Sequence, residues 1–492
     1  MSGLKILFAA SEVVPFAKSG GLADVAGALP KALSKLGHDV RVVMPRYYVV
    51  DIEKYNLKKL DSALGVPMGP LGEQWAGVYE GKLPNSDTTI YFIDHEQFFG
   101  RAGLYEENGY GYSDNDVRFI FFSRAVMQLA KMLHFHPDVI HSNDWHSASI
   151  PMMLNTIYAY DSDFAHTGSL FTIHNLQHQG RFSNYAMNFL DIGWQHFNSD
   201  ELEEYDGINL LKGAIVHSDA ISTVSAKYAQ EIKTSEFGWG LDGLISQNAH
   251  KLHGILNGVD YDEWSPATDS FLECKYDIKT LNKKLECKRA LQREFGLPER
   301  DDVALIGFVG RLAEQKGIEL IASKIYDILE LDVQIVLLGT GESWAEGFFS
   351  HIAGAYPEKF ACYIGYRNDL AHKIEAGSDM FLMPSIFEPC GLNQIYSLRY
   401  GSVPIVRAAG GLDDTIENYH NDGKNGTGFK FYDATPDALY NTIGWALHTY
   451  YNDPDGFKQI QKNGMKKRFD WEAAAKEYVE VYKKIIKGRK NP

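Results

Sequence analysis

A lysine, Lys18, stands beside a glycine pair, Gly20-Gly21, shortly after an apolar run at residues 5–10 and just before a helix-like pattern. Glycines admit positive φ and leave backbone amides uncovered, and the amides that open a helix attract negative charge. The chemistry this suggests is anion holding, with a nucleotide diphosphate as the natural candidate. An ordinary strand-to-helix turn with a solvated lysine is the plainer alternative. A second copy of the Gly-Gly-Leu-x-Asp pattern runs from Gly410, Gly411 and Leu412 to Asp414, after the apolar run at 403–406. Two nucleotide-fold-like halves facing each other would make a cleft.

Further chemistry-bearing residues follow other apolar runs. Arg311 and Lys316 come after residues 303–309 and offer a guanidinium fork and a compact ammonium, a pair suited to the charge that builds on a departing nucleoside diphosphate. A surface ion pair with Glu314 is the alternative. Glu388 follows the run at 380–383 and leads into Cys390-Gly391-Leu392, which reads as another helix start. A purely structural acid would be repelled beside a phosphate site, so Glu388 is expected to contact sugar hydroxyls. Cys390 is either a thiol activated by the helix start or a small residue at a close approach. Asp144, after residues 138–141, suits sugar hydroxyls or a helix cap. His134, His136, His141 and His146 lie across a strand that separates them, without metal-ligand spacing, so no metal is expected.

These residues need a scaffold of alternating buried strands and helices. Strands are expected at 5–9, 39–44, 89–93, 138–141, 170–173 and 220–223, and again at 303–309, 334–338, 360–364, 380–383 and 404–406. The alternation implies parallel sheets with helical crossovers, whose ligands bind at the carboxyl ends of the strands. The charged stretch before Arg300 reads as a solvated helix, and Asp114-Asn115-Asp116 as the start of a helix over 117–132. The length of 492 residues suggests two or three domains. The expected division is 1–254, 255–470 and a C-terminal helix, 471–492, packing back on the first domain.

The net charge of −16 opposes wholesale binding to nucleic acid or an anionic membrane. No stretch approaches the roughly 18 apolar residues of a membrane span. Four scattered cysteines suggest a reducing compartment and no disulfide. The opening segment reads as a buried strand rather than a signal core, so a cytoplasmic protein is expected, or a mature form from a plastid-like compartment.

Taken together, these residues resemble the bacterial glycogen synthases and plant starch synthases, retaining glucosyltransferases of the GT-B fold. Lys18 to Val25 is similar to the family's K-[TSV]-G-G-L-x-D-V signature. Asp114-Asn115 with Arg118-Phe119, Asp144-Trp145-His146, Thr172-Ile173-His174-Asn175, Gly310-Arg311 with Lys316-Gly317, and Glu388-Pro389-Cys390-Gly391-Leu392 follow in the expected order. The resemblance spans nearly the whole chain and implies two Rossmann-like domains facing across a deep cleft. It implies glucose transfer from ADP-glucose, or less favourably UDP-glucose, to the non-reducing 4-hydroxyl of an α-1,4-glucan, with retention and with no cofactor or metal.

By the same resemblance Lys18, His174, Arg311, Lys316 and Glu388 are catalytic. Gly20, Gly21, Asp24, Asn257, Tyr366, Cys390, Gly391 and Leu392 bind the donor, with Tyr366 against the nucleobase. His95, Asp144 and Trp145 face the acceptor, and domain closure completes the site. Asn393 and Ser19 depart from frequent threonines, which bears on side-chain contacts and not on the amide cradle. Tyr105, Tyr110, Tyr112, Phe98 and Phe99 belong to the aromatic stretch expected to meet glucan, with membership of the core as the alternative for such rings. Gly339-Thr340-Gly341 hints at a dinucleotide fingerprint, but its third glycine and acidic residue are missing. A catalytically silent glucan-binding protein is the other rival, and the presence of Lys18, Arg311, Lys316 and Glu388 argues against it.

Overall fold

A computed structural model describes residues 3–107, 109–420 and 425–490. The chain forms two compact units, one of Met1–Val224, Ala229–Gly258 and Trp471–Pro492, the other of Ser225–Tyr228 and Val259–Asp470.

The first unit is built on a sheet in the spatial order Leu252–Gly254, Ala220–Thr223, Gly168–Ile173, Val139–Asn143, Lys5–Ala9, Asp39–Pro45, Thr89–Asp94, Glu73–Lys82 and Lys58–Lys59. From Leu252–Gly254 to Thr89–Asp94 every pairing is parallel. Those strands read as continuous apolar runs because helices cover both faces. Glu73–Lys82 pairs antiparallel with Thr89–Asp94, so the sheet is mixed rather than parallel throughout. The short link between these two strands permits only a hairpin, since a parallel crossover needs a dozen or more residues. Chain order reverses between Lys5–Ala9 and Val139–Asn143. This is the switch point of the sheet, where open α/β sheets offer a crevice.

The helix Gly21–Lys35 buries Leu22, Val25, Ala26, Leu29 and Leu33. Against it and the strand Gly168–Ile173 lies the helix Trp471–Lys490. Its attachment is polar as well as apolar: His141 bridges the Tyr482 hydroxyl at 2.8 Å and Thr172 Oγ1 at 2.6 Å, and Arg489 pairs with Asp219 at 2.9 Å.

The second unit holds a six-stranded parallel sheet ordered Phe360–Ile364, Val333–Gly339, Ala304–Val309, Met380–Met383, Val403–Arg407 and Phe429–Phe431. Alternate side chains fill two cores, as the pleat requires. Ile306, Phe308, Ile335 and Leu337 enter one, while Leu305, Val336 and Leu338 enter the other. Here the order reverses between Ala304–Val309 and Met380–Met383. The charged stretch before Arg300 does contain a helix, Lys284–Glu294, but it is not solvated on all sides. Lys284 and Lys288 are buried: Lys284 Nζ donates to the Ala376 carbonyl at 2.6 Å and Ser402 Oγ at 2.8 Å, and Lys288 pairs with Asp379 at 2.8 Å. A buried ammonium is tolerated only when partnered in this way.

Candidate active site

At the switch point of the first unit, the turn after Lys5–Ala9 carries Glu12, Lys18 and the glycine pair. Neither Gly20 nor Gly21 has a positive φ, contrary to the expectation, and Gly20 is extended at φ −145°. The amides of this turn already hold a carboxylate. Glu12 Oε2 accepts from Ser19 N, and from Gly20 N at 3.2 Å. Burial pushes the Glu12 carboxyl upward while those two amides pull it back. Lys18 pairs with Asp24 Oδ1 at 2.8 Å and remains half exposed. A Cβ built on Gly21 meets nothing within 4 Å, so its glycine leaves open space beside the start of the helix.

The other side of that switch point carries Asp144, Trp145 and, one strand further, His174. Asp144 holds φ 53°, ψ 179°, a region populated almost solely by glycine, and such strain persists only when the surroundings enforce it. Here they do: Asp144 N donates to the Thr172 carbonyl at 2.9 Å, and Asp144 Oδ1 accepts from His174 N at 2.8 Å. Burial pushes this carboxyl up to about 7, against the amides of His174 and Asn175. His174 Nε2 donates to Asn143 Oδ1 at 2.9 Å, and burial brings its pKa down to about 3. The neutral imidazole therefore keeps Nδ1 as an acceptor.

Trp145 is packed between Phe119, at 5.0 Å, and Phe182, at 5.4 Å between ring centroids. His95 stacks on Phe98 at 4.4 Å, and its buried Nδ1 has no hydrogen-bond partner among the described residues. The aromatic stretch expected to meet glucan is divided between core and surface. Phe98 and Phe99 are buried, and Tyr112 lies under the guanidinium groups of Arg101 and Arg118, while Tyr110 is exposed. The Asp114-to-Phe119 motif is likewise a brace: Arg118 is fully buried and donates to the carbonyls of Phe98 and Leu104. Asn257, expected in the second domain, lies in the first unit, where its Oδ1 is buried without a hydrogen bond among the described residues.

At the switch point of the second unit two segments are laced together. The turn Glu314–Lys316 ends at Gly317, whose φ of +70° and close approach to the Pro384 carbonyl exclude any side chain. Ile386 N donates to the Gln315 carbonyl at 2.9 Å. Lys316 Nζ then reaches Glu388 Oε2 at 2.5 Å, which also accepts from Ser385 Oγ at 2.9 Å. The anticipated repulsion between an acid and this site is therefore replaced by a direct ion pair, and Glu314 is not the partner of Lys316. Arg311 is exposed and donates to Gln315 Oε1 at 2.8 Å. Cys390 and Leu392 precede the helix Asn393–Tyr400, with Gly391 at φ +70° between them. Tyr366, after Phe360–Ile364, is 64% exposed.

A family model described as the starch synthase catalytic domain matches residues 5–247, and one described as glycosyl transferases group 1 matches residues 291–467. A protein named glycogen synthase 1 from Geobacter sulfurreducens is 54% identical over 489 residues, covering 99% of this chain and 98% of its own. The chain belongs to the glycogen and starch synthase family. It is a glycosyltransferase with the GT-B fold of that family. Glycogen synthase from Treponema denticola is 44% identical over 98% of this chain and 99% of its own. The catalytic domain of starch synthase IV from Arabidopsis thaliana, solved bound to ADP and acarbose, superimposes with a TM-score of 0.91 at 34% identity, covering 99% of this chain and all of that one.

Glu12, Ser385 and Gln315 were not singled out from the sequence. Each sits within a few residues of a strand end or of an expected site residue, so that position is the signal that reaches them. Gly339-Thr340-Gly341 is closed by Glu346, which accepts from Gly341 N at 2.8 Å. All four cysteines are free. Among the described residues no helix is long and apolar enough to cross a membrane. Among those residues one group of metal-ligating side chains converges, His196, Glu201 and His217, and it includes none of the histidines weighed from the sequence.

Proposed function

We propose that this glycosyltransferase moves glucose from ADP-glucose to the non-reducing 4-hydroxyl of an α-1,4-glucan, with retention and without a metal. The observation that carries the reading is the part-buried Lys316–Glu388 pair at the strand-order switch of the second unit, beside the exposed Arg311. Two cations fixed where an open α/β sheet binds its ligand suit a diphosphate. The starch synthase IV relative was solved with ADP and acarbose, a nucleotide and a sugar-like ligand, which supports the same division of labour here.

In this reading Arg311 and Lys316 stabilise the charge that develops on the departing ADP, the work a metal does in other transferases. Glu388 orients the ammonium of Lys316 and grips hydroxyls of the transferred glucose. Gly391, with Cys390 and Leu392, brings helix amides to the donor, and the exposed Tyr366 gives its base a ring to lie on. Lys18, Asp24, Gly20, Gly21 and Asn257 complete the donor contacts. His174, neutral and fixed through Nε2, accepts a glucose hydroxyl at Nδ1, and Asp144, Trp145 and His95 serve the acceptor.

The bond from glucose C1 to the phosphate oxygen breaks, its electron pair leaving with ADP. The acceptor 4-oxygen bonds to C1 on the same face, and its proton passes to the departing phosphate. No side chain is assigned as a covalent nucleophile.

Purified protein offered ADP-glucose or UDP-glucose with glycogen, each with and without a chelator, tests this reading through nucleotide release and glucan labelling. Faster turnover of ADP-glucose, unchanged by the chelator, is expected. Release from neither donor would favour a silent glucan-binding protein. Preference for UDP-glucose would overturn the donor, and loss of turnover with the chelator that Mg²⁺ or Mn²⁺ restores would overturn the metal-free step.

A further inference from the structure

We infer that His196, Glu201 and His217 form a binding site for a zinc-type divalent cation in the first unit, one with a structural role. His196 ends the short turn Trp194–His196, Glu201 follows it, and His217 is the last residue of the helix Leu210–His217. His196 Nδ1 lies 2.6 Å and His217 Nε2 2.8 Å from the same oxygen, Glu201 Oε2. Their three ligand atoms lie within 4.8 Å of one another. A tetrahedral zinc with bonds near 2.0–2.1 Å sets its ligand atoms about 3.3 Å apart, so shifts of under about 1 Å admit the ion in place of the two N–H protons.

The ligand chemistry selects the cation. Two imidazoles and one carboxylate suit zinc and its neighbours, whereas calcium and magnesium seek oxygen ligands. The side chains of His196, Glu201 and His217 are 20%, 24% and 10% exposed, which leaves one side open for a water as fourth ligand. Supporting contacts are already in place. Asn198 Nδ2 donates to Glu201 Oε1 at 3.1 Å and to the Gln195 carbonyl at 2.9 Å, fixing the carboxylate as outer-shell partners of metal ligands do. The helix Leu210–His217 presents its negative end to the site. Two ammonium groups stand close by, and both are engaged by carbonyls: Lys251 by Val216 and Ser218, Lys212 by Ser199 and Glu203.

The ion would tie the 194–204 segment to that helix. The segment leads into Glu203–Glu204, which joins Gly207–Asn209 and Arg181–Ser183 in a small antiparallel sheet. Gly180, just before that sheet, packs on Trp145. A cation at this strap thus holds the backing of Trp145 and takes no part in glucosyl transfer.

The test uses untagged full-length protein, stripped with a chelator and titrated with Zn²⁺ by calorimetry and with Co²⁺ by visible absorption. One ion per chain is expected, with tetrahedral Co²⁺ bands free of thiolate charge transfer, and a higher melting temperature in Zn²⁺. His196→Asn or His217→Asn should weaken binding about a hundredfold, and Asn198→Ala about tenfold. Glu201→Gln keeps the hydrogen-bonded shape and serves if a histidine variant fails to fold; it too should lose the ion. Absence of binding at about 1 mM Zn²⁺ would overturn the inference. So would binding indifferent to these substitutions, or Co²⁺ spectra showing thiolate from the cysteines.

Discussion

At residues 20–22 the Gly-Gly-Leu turn borders open space, whereas at 410–412 the same three residues are clamped against the loop that carries Glu388. A Cβ on Gly21 would touch nothing, while one on Gly410 would meet the Glu388 carbonyl at 2.0 Å and one on Gly411 the Cys390 carbonyl at 1.9 Å. Gly411 N also donates to the Glu388 carbonyl at 3.0 Å, and only Gly410 of the four glycines takes a positive φ. In the first turn, then, glycine leaves room and its amides hold the buried Glu12. In the second, glycine permits backbone-to-backbone approach and thereby sets the height of the loop bearing Glu388. One local pattern serves two physical ends, and the neighbours decide which.

The sharpest way to break this comparison is at the cations. Lys316→Ala should lower the rate of glucosyl transfer by about 10²–10³, the cost of losing one preorganised charge contact, and near-normal turnover would remove Lys316 from the leaving-group role. Gly411→Ala should destabilise the protein by about 3 kcal/mol in urea unfolding, because backbone must shift to admit the methyl group. Gly21→Ala, in contrast, should leave the unfolding midpoint nearly unchanged while slowing transfer. Equal destabilisation by the two alanines would mean that both glycine turns are packed alike.

Glu12→Ala should cost about 2 kcal/mol, since it strips Ser19 N and Gly20 N of their acceptor. Lys18→Ala should change stability by under about 1 kcal/mol, as an exposed ion pair does, and a larger loss would show that Lys18 braces the fold.

pH should act through Asp144 as well. The folded-state pKa of Asp144 is raised from 3.8 to about 7, so the group's stabilising contribution is full below 3.8 and is lost as pH rises through about 7. Asp144→Asn keeps an acceptor for His174 N and should flatten the decline in stability between pH 4 and pH 7. An unchanged pH profile in that variant would mean that Asp144 titrates near its ordinary value.

Much of the fold was legible in the chain. Buried strands announce themselves as short apolar runs, and the predicted strands at 5–9, 220–223, 360–364 and 380–383 coincide with observed ones. The strand Glu73–Lys82 was not legible, because its half-exposed, glycine-containing sequence carries no continuous apolar signal. The residues after strand ends were the right place to look for Arg311, Lys316, Glu388, Asp144 and His174. Their partners were not readable there: Lys316 and Glu388 are 72 positions apart, and Asp144 and His174 are 30 apart. Which rings of the aromatic stretch would be core was not readable, because ring content says nothing about which face a ring occupies.

The sequence by itself determined two α/β sheets, the positions of the charged residues beside them, and membership of a family with a known order of motifs. These depend on local periodicity and residue type, which a linear string retains. Tertiary structure decided that Glu12 fills the amides behind Lys18, that Lys284 and Lys288 are core residues, and that His196, Glu201 and His217 meet. Burial and partnership depend on which segments pack together, and packing brings together residues that the string keeps apart.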